Sequence, residues 1–193
     1  MGYKVKIGIS NKHLHLSEEH IEKLFGKGHE LTPIKDLVQP GQFAADEKVD
    51  LVGPKATLKG IRVLGPARPE TQVELSMTDT RTIGMNVPVR ESGKLEGTPG
   101  MKLVGPAGEV DLDHGVIVAL RHIHLSPAQA EDAGVKDQDL VDVKTFGTRP
   151  LIFEDVVIRS GDKHEREFHV DTDEANAAGL ANDEEIEIIG KEL

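Results

Sequence analysis

Apolar and polar positions alternate at the start of the chain. Val5, Ile7 and Ile9 interleave with Lys4, Lys6 and Gly8, the two-residue period of a half-buried β-strand. The strand runs into His13-Leu14-His15-Leu16, after which Ser17 begins a helix. Its first turn is acidic at Glu18 and Glu19, its apolar face is Ile21, Leu24 and Phe25, and Gly26 ends it. The same order returns later in the chain. The apolar run from Val116 to Leu120 leads into His122-Ile123-His124-Leu125, and Ser126 follows with Pro127 at the first helical position and Gln129 completing a capping box. Each His-x-His pair is therefore expected at a strand-to-helix junction.

The likeness between the halves extends further. Residues 73–85, VELSMTDTRTIGM, lie on residues 168–180, FHVDTDEANAAGL, each as an alternating strand followed by a short helix, and Glu74 falls opposite His169. The spacing between the copies is shorter for this second match than for the His pairs, so the repeat is loose. Other short strands, separated by Gly and Pro turns, are expected at 49–52, 58–64, 72–76, 140–143, 151–159, 165–170 and 185–189. That density suggests barrels or sandwiches with only brief helices. The Gly/Pro-rich stretch 96–115 reads as the connection between the halves.

Composition narrows the chemistry. A length of 193 residues suits one large domain or two small ones, and 37% hydrophobic residues suffice for packed cores. Aromatics make up 3%, with no Trp and one Tyr, so the cores must be Val, Ile, Leu and Ala, and platforms for stacking nucleic-acid bases are missing. The net charge of −11 repels polyanions at long range, which leaves phosphate recognition to a local cluster of cations or to metal. The absence of cysteine excludes disulfides, thiolate metal sites and cysteine nucleophiles, and suits a reducing cytoplasm. No signal-peptide core and no run of about 18 apolar residues is present, so a soluble, non-secreted protein without a membrane partner is expected.

Residues i and i+2 of a strand project from one face about 6.6 Å apart, so His13 and His15 point together while Leu14 and Leu16 face a core. Imidazole nitrogen binds zinc at about 2.0–2.1 Å, and two such side chains converge on one ion at that reach. A single His-x-His pair is more often plain surface polarity. Two copies, each before a capped helix and each followed by a strand carrying an acid or a His, favour metal. The expected third ligands are Glu74, sharing a face with Gln72 and Ser76, and His169, sharing one with Glu165 and Glu167 in a hairpin closed by residues 159–163. Arg68, in the Pro-stiffened stretch before Glu74, and Arg159, at the end of the strand before that hairpin, can each bind phosphate bidentately; an ordinary surface role stands as the alternative. His20 and His29 read as surface residues, and His114 and His164 as structural ones.

The segments ISNKHLHLS, GPARPETQVELS, LRHIHLSP and EFHVDTDEANAAG, in this order, resemble the signature segments of the phosphate propanoyltransferase family, the phosphotransacylases of propanediol-utilising bacterial microcompartments. The resemblance runs from about residue 5 to about residue 190. It implies a mainly β fold of two small six-stranded β-barrels capped by short helices, with the active site in the cleft between them. One domain would be residues 1–11 with 120–193, its first strand packing with the C-terminal half, and the other residues 12–119. The family pattern places one zinc, or a similar divalent ion, on His13, His15 and Glu74 and a second on His122, His124 and His169. It places Arg68 and Arg159 near phosphate and Gln39, Gln42, Gln72, Ser92 and Asn176 along the site. The implied reaction interconverts a short-chain acyl-CoA plus inorganic phosphate with acyl phosphate plus coenzyme A. The implied location is the cytoplasm or a bacterial microcompartment and its shell, although the sequence starts almost on its first strand, without the amphipathic extension of lumen-bound members. A homodimer is the default expectation.

Without cysteine, direct attack of phosphate on the thioester is expected, one zinc with Arg159 orienting the phosphate and the other with Arg68 polarising the carbonyl. Two readings compete: a dinuclear metal-dependent hydrolase and a non-catalytic zinc-binding interaction module. Three protein ligands per ion leave positions open for substrate, unlike a closed structural site. A pocket separates acetyl from propionyl by only about 1–3 kcal/mol, so both acyl groups are candidates.

Overall fold

The computed structural model describes residues 2–191. Along the chain run β1 (Tyr3–Ser10), β2 (His13–His15), α1 (Glu18–Phe25), β3 (Pro33–Asp36), β4 (Phe43–Val52), β5 (Thr57–Gly65) and β6 (Gln72–Glu74). There follow α2 (Met77–Ile83), β7 (Val89–Arg90), β8 (Lys102–Val104), β9 (Glu109–Asp111), β10 (Val116–Ala119) and β11 (His122–Leu125). The chain ends in α3 (Pro127–Ala133), β12 (Leu140–Lys144), β13 (Ile152–Ser160), β14 (Glu167–Asp171), α4 (Thr172–Ala178) and β15 (Glu185–Lys191). It divides into two compact units, one holding the chain through Ser10, Val38–Pro40 and everything from Leu120, the other Asn11–Leu37 and Gly41–Ala119. Among the described residues no helix is long and apolar enough to cross a membrane.

The first unit is a closed barrel of six strands in the order β1-β14-β11-β13-β12-β15, which leaves no open edge. Alternate residues fill it: Val5 and Ile7 from β1, Ile123 and Leu125 from β11, Phe168 and Val170 from β14 are all buried in one cluster. The same alternation turns His122, His124 and His169 to the opposite face. In the second unit, among the described residues, nine strands form one sheet in the order β7-β10-β6-β2-β5-β4-β8-β9, with β3 paired to β4. Leu14, Leu16, Val63, Val73 and Leu103 make its core, with Ile21 and Leu24 of α1 packed on them. The mainly β architecture with brief helices is thus present.

The same local plan recurs in both units. The His-x-His strand lies antiparallel to the strand of the expected third ligand, β2 to β6 and β11 to β14, and parallel to a third strand on its other side, β5 or β13. Each ligand strand runs straight into a capped helix. Ser17, Ser76, Ser126 and Asp171 are the N-caps, and the last three form full capping boxes with Asp79, Gln129 and Glu174. Caps fix where the strand stops and so hold the outward side chains in register. The lead strands are exchanged between the units: β1 pairs with β14 in the unit that holds β11, yet runs on into β2, while β10 pairs with β6 and runs on into β11.

Two expectations are corrected. Strands β13 and β14 do not form a hairpin, because β11 lies between them. Residues Ile123 and Leu125 of β11 are wholly buried, so the strand takes partners along both edges, and the turn after β13 crosses its end with Gly161 N donating to Leu125 O at 3.1 Å. The equivalent turn of the other unit has Arg68 N donating to Leu16 O at 2.9 Å. The stretch 96–115 is not a connection between units either. It contributes β8 and β9, a hairpin on the edge of β4 that buries Leu103 and Val110.

Candidate metal centres

In the second unit His13 pairs across the sheet with Glu74, and His15 with Gln72. A donor atom from each of His13, His15 and Glu74 lies within 4.8 Å of the others, and His13 Nε2 is 3.5 Å from Glu74 Oε2. Both imidazoles are anchored by main-chain carbonyls: His13 Nδ1 lies 2.7 Å from Asn11 O and His15 Nδ1 lies 3.1 Å from Leu64 O. A carbonyl only accepts, so Nδ1 carries the proton and the Nε2 lone pair is left for a ligand. Glu74 is held by its other oxygen. Its Oε1 accepts from Gln72 Nε2 at 2.6 Å and from Ser92 Oγ at 3.2 Å; Gln72 Nε2 also donates to Ser92 Oγ, and Gln72 Oε1 accepts from Gly93 N.

The electrostatics suit a cation. Burial works against ionising Glu74, yet the imidazoles of His13 and His15 and the Arg68 guanidinium outweigh it and hold the carboxyl well below its ordinary range. Burial likewise opposes protonation of His13, but the Glu74 charge and hydrogen bond raise that ring above its ordinary value. Burial, His13 and Arg68 push His15 well below the usual range, which keeps it neutral and able to coordinate.

In the first unit His122 pairs with His169 and His124 with Glu167. Donors of His122, His124 and His169 lie within 4.8 Å of one another, and the Nε2 atoms of His122 and His124 are 3.0 Å apart. Ring centroids of His169 stand 5.0 Å from His122 and 4.8 Å from His124. His122 Nδ1 sits 2.8 Å from Leu120 O, two residues back, as His13 does with Asn11. His124 differs from its counterpart His15. The carbonyl it would use, that of Arg159, is taken by His164 Nδ1 at 2.9 Å, and His124 Nδ1 is buried without a hydrogen-bond partner among the described residues. Burial first, then His122, His169, His164 and Arg159, push the His124 ring far below its ordinary value.

These residues fit a divalent ion. Ligand bonds of about 2.0–2.1 Å put tetrahedral donors about 3.3 Å apart, close to the 3.5 Å between His13 Nε2 and Glu74 Oε2 and the 3.0 Å between His122 Nε2 and His124 Nε2. One group offers two nitrogens and an oxygen, the other three nitrogens, a set suited to zinc-like ions.

Of the other residues singled out, Arg68 Nη1 reaches Ser92 Oγ at 3.5 Å and its charge acts on His13, His15 and Glu74. Arg159 lies in register with His124 and its charge acts on that ring. Gln39 is buried in the first unit, where Nε2 donates to Glu165 O at 3.0 Å and to Glu167 Oε2 at 3.2 Å, and Oε1 accepts from Glu165 N. Gln42 is half-buried in the turn before β4, its carbonyl accepting from Leu37 N, and Asn176 lies on α4, its carbonyl accepting from Gly179 N. Among the described residues no hydrogen bond ties either side chain to a ligand group. Two further neighbours carry no role in the sequence-based expectation: His164, whose ring lies 4.3 Å from that of His124, and Glu167, whose Oε2 is 2.6 Å from His169 Nε2. The spacing of Glu167 two residues before His169 puts both on one strand face and is the signal for it; the loop position of His164 offers none.

The family profile for phosphate propanoyltransferases matches residues 6–181. A phosphate propanoyltransferase of Thermotoga maritima is 57% identical over 175 residues, covering 90% of this chain and 83% of the relative. The Clostridioides difficile protein of that name is 49% identical over 187 residues, covering 97% and 90%. That of Rhodopseudomonas palustris is 48% identical over 189 residues, covering 98% and 84%.

Proposed function

The chain belongs to the phosphate propanoyltransferase family of transferases, and from that membership we propose that it moves a short acyl group, propionyl or acetyl, between coenzyme A and inorganic phosphate, with two divalent ions held by its His/Glu groups. The observation that carries the metal part of this reading is the pair of three-donor groups, in which main-chain carbonyls anchor His13, His15 and His122 through Nδ1. His13, His15 and Glu74 would hold one ion and His122, His124 and His169 the other. Bound there, such ions supply Lewis acidity toward the oxygens of the thioester carbonyl and of phosphate.

The remaining work falls to the chain. With no cysteine to carry the acyl group, a phosphate oxygen attacks the thioester carbonyl carbon directly, the new carbon–oxygen bond forms, and the carbon–sulfur bond breaks to release coenzyme A as thiolate. Arg159, in register with His124, orients the phosphate, while Arg68, beside Glu74, stabilises negative charge developing on the carbonyl oxygen. Gln72 and Ser92 keep Glu74 and Arg68 in place through the hydrogen bonds they share with them.

Initial-rate measurements test this reading. Coenzyme A release from propionyl-CoA is expected only with phosphate (or arsenate) present, and double-reciprocal lines at several phosphate concentrations should intersect. Parallel lines would indicate a covalent acyl-enzyme and contradict direct attack. Thioester cleavage without phosphate would make the protein a hydrolase, and no cleavage at all a non-catalytic binding module.

A further inference from the structure

The chain passes from one unit to the other just before each His-x-His pair. The second unit takes over at Asn11 and the first at Leu120, so Lys12 and Arg121 each stand second after a crossing and one residue ahead of His13 or His122. Both are cations, and both reach the same kind of partner. Lys12 Nζ donates to Asp79 Oδ1 at 2.8 Å, and Arg121 Nη1 donates to Glu174 Oε1 at 3.1 Å. Asp79 and Glu174 are the third residues of α2 and α4, the helices that follow the strands of Glu74 and His169. The second oxygen of each carboxylate belongs to the helix cap, accepting from Ser76 N at 3.3 Å or from Asp171 N at 3.2 Å. One strap, built from different residues, thus recurs at matched places.

We infer that Lys12 and Arg121 are positioning residues of the two metal groups: each pins the peptide that anchors the first imidazole to the helix that follows the third donor, and so sets the spacing of those two ligands. The inference rests on the reading that both groups take divalent cations. His13 stands opposite Glu74 and His122 opposite His169 in antiparallel pairs, so each strap closes the end of the strand pair at which first and third donors meet. The route to the ligand is short. His13 Nδ1 lies 2.7 Å from Asn11 O and His122 Nδ1 lies 2.8 Å from Leu120 O, and these carbonyls belong to the peptide bonds that lead into Lys12 and Arg121. Neither pair is a loose surface contact: side-chain exposure is 31% and 9% for Lys12 and Asp79 and 29% and 23% for Arg121 and Glu174, against 66% and 51% for Lys4 and Glu185. Arg121 holds more than Lys12 does. Its Nε and Nη2 both donate to Glu154 O and its guanidinium lies over the Phe153 ring, which ties it to β13 on the other side of β11 as well. Lys12, with its single strap, is the cleaner test.

Titration of zinc-loaded protein with a chromophoric chelator, zinc being the probe, tests the inference without recourse to activity. The native chain should hold two ions. Lys12→Met keeps a long side chain without the charge and should weaken the second unit's ion by about 10-fold, the low end of what contacts behind a ligand contribute, while the other ion is unchanged. Repeating the change in His122→Ala, which retains only the second unit's ion, assigns the loss. Asp79→Asn keeps an acceptor for the cap but removes the charge, and it should cost the same. The Lys12→Met/Asp79→Asn double variant should cost no more than either single change, the non-additivity of one shared contact, and Lys12→Arg should keep most of the affinity. Arg121→Met should weaken the first unit's ion instead. General loosening of the fold would lower the unfolding midpoint and weaken both ions alike. That result, two ions as tight as in the native chain, or additive losses in the double variant would each overturn the strap and leave the metal reading standing. A native chain that takes up no zinc would overturn both.

Discussion

His122→Ala is expected to bind one divalent ion instead of two and to lose about 10³-fold in turnover of acyl-CoA with phosphate, the rate equivalent of about 4 kcal/mol. His13→Ala should do the same to the other ion. Losses of this size are expected because each site counts only three protein donors, and removing one leaves too few to hold the ion. The fold should survive both changes. Strand alternation puts Ile123 and Leu125 in the barrel core and Leu14 and Leu16 in the other core, whereas His122 and His13 face away, so alanine opens no cavity among the packed apolar residues. Metal content and steady-state rates on the two variants check this. A variant that kept full activity after losing its ion would remove that group from the reaction.

Arg68→Ala carries the second-largest expected effect, a fall of about 10²–10³-fold in kcat/KM. The guanidinium belongs to the same charge set as Glu74, His13 and His15, and it donates to Ser92, which also donates to Glu74. Its planar fork suits two oxygens at once, so Arg68→Lys should restore the charge and only a minor part of the rate. Rates measured over a range of phosphate and acyl-CoA concentrations separate loss of binding from loss of the chemical step. Full activity in Arg68→Ala would show that the arginine is an ordinary surface cation.

Much of this candidate site is legible in the sequence because its information is local. His13 and His15, or His122 and His124, sit two residues apart on a strand, Leu14 or Ile123 between them marks the inward face, and a capping serine marks where the strand stops. Glu74 and His169 emerged from the loose repeat, since each lies on the strand before the second capped helix of its half. What stayed hidden depends on contacts far apart in sequence. The insertion of β11 between β13 and β14 is decided by burial of Ile123 and Leu125 on both edges, while the short turn between β13 and β14 reads as a hairpin from sequence alone. Strand β3 is wholly exposed and so has no hydrophobic period, and the three-residue strands β8 and β9 are masked by Gly100, Gly105 and Gly108. Gln39 lies between segments of one unit but packs in the other, on Glu165 and Glu167, a placement no local pattern encodes.

The most direct measurement is the metal content of fully active protein, by elemental analysis of material dialysed free of loosely bound ions. The account predicts two divalent ions per chain, with phosphate-dependent acyl transfer lost on their removal by a chelator and regained on their return. Undiminished transfer by protein that contains none would contradict it.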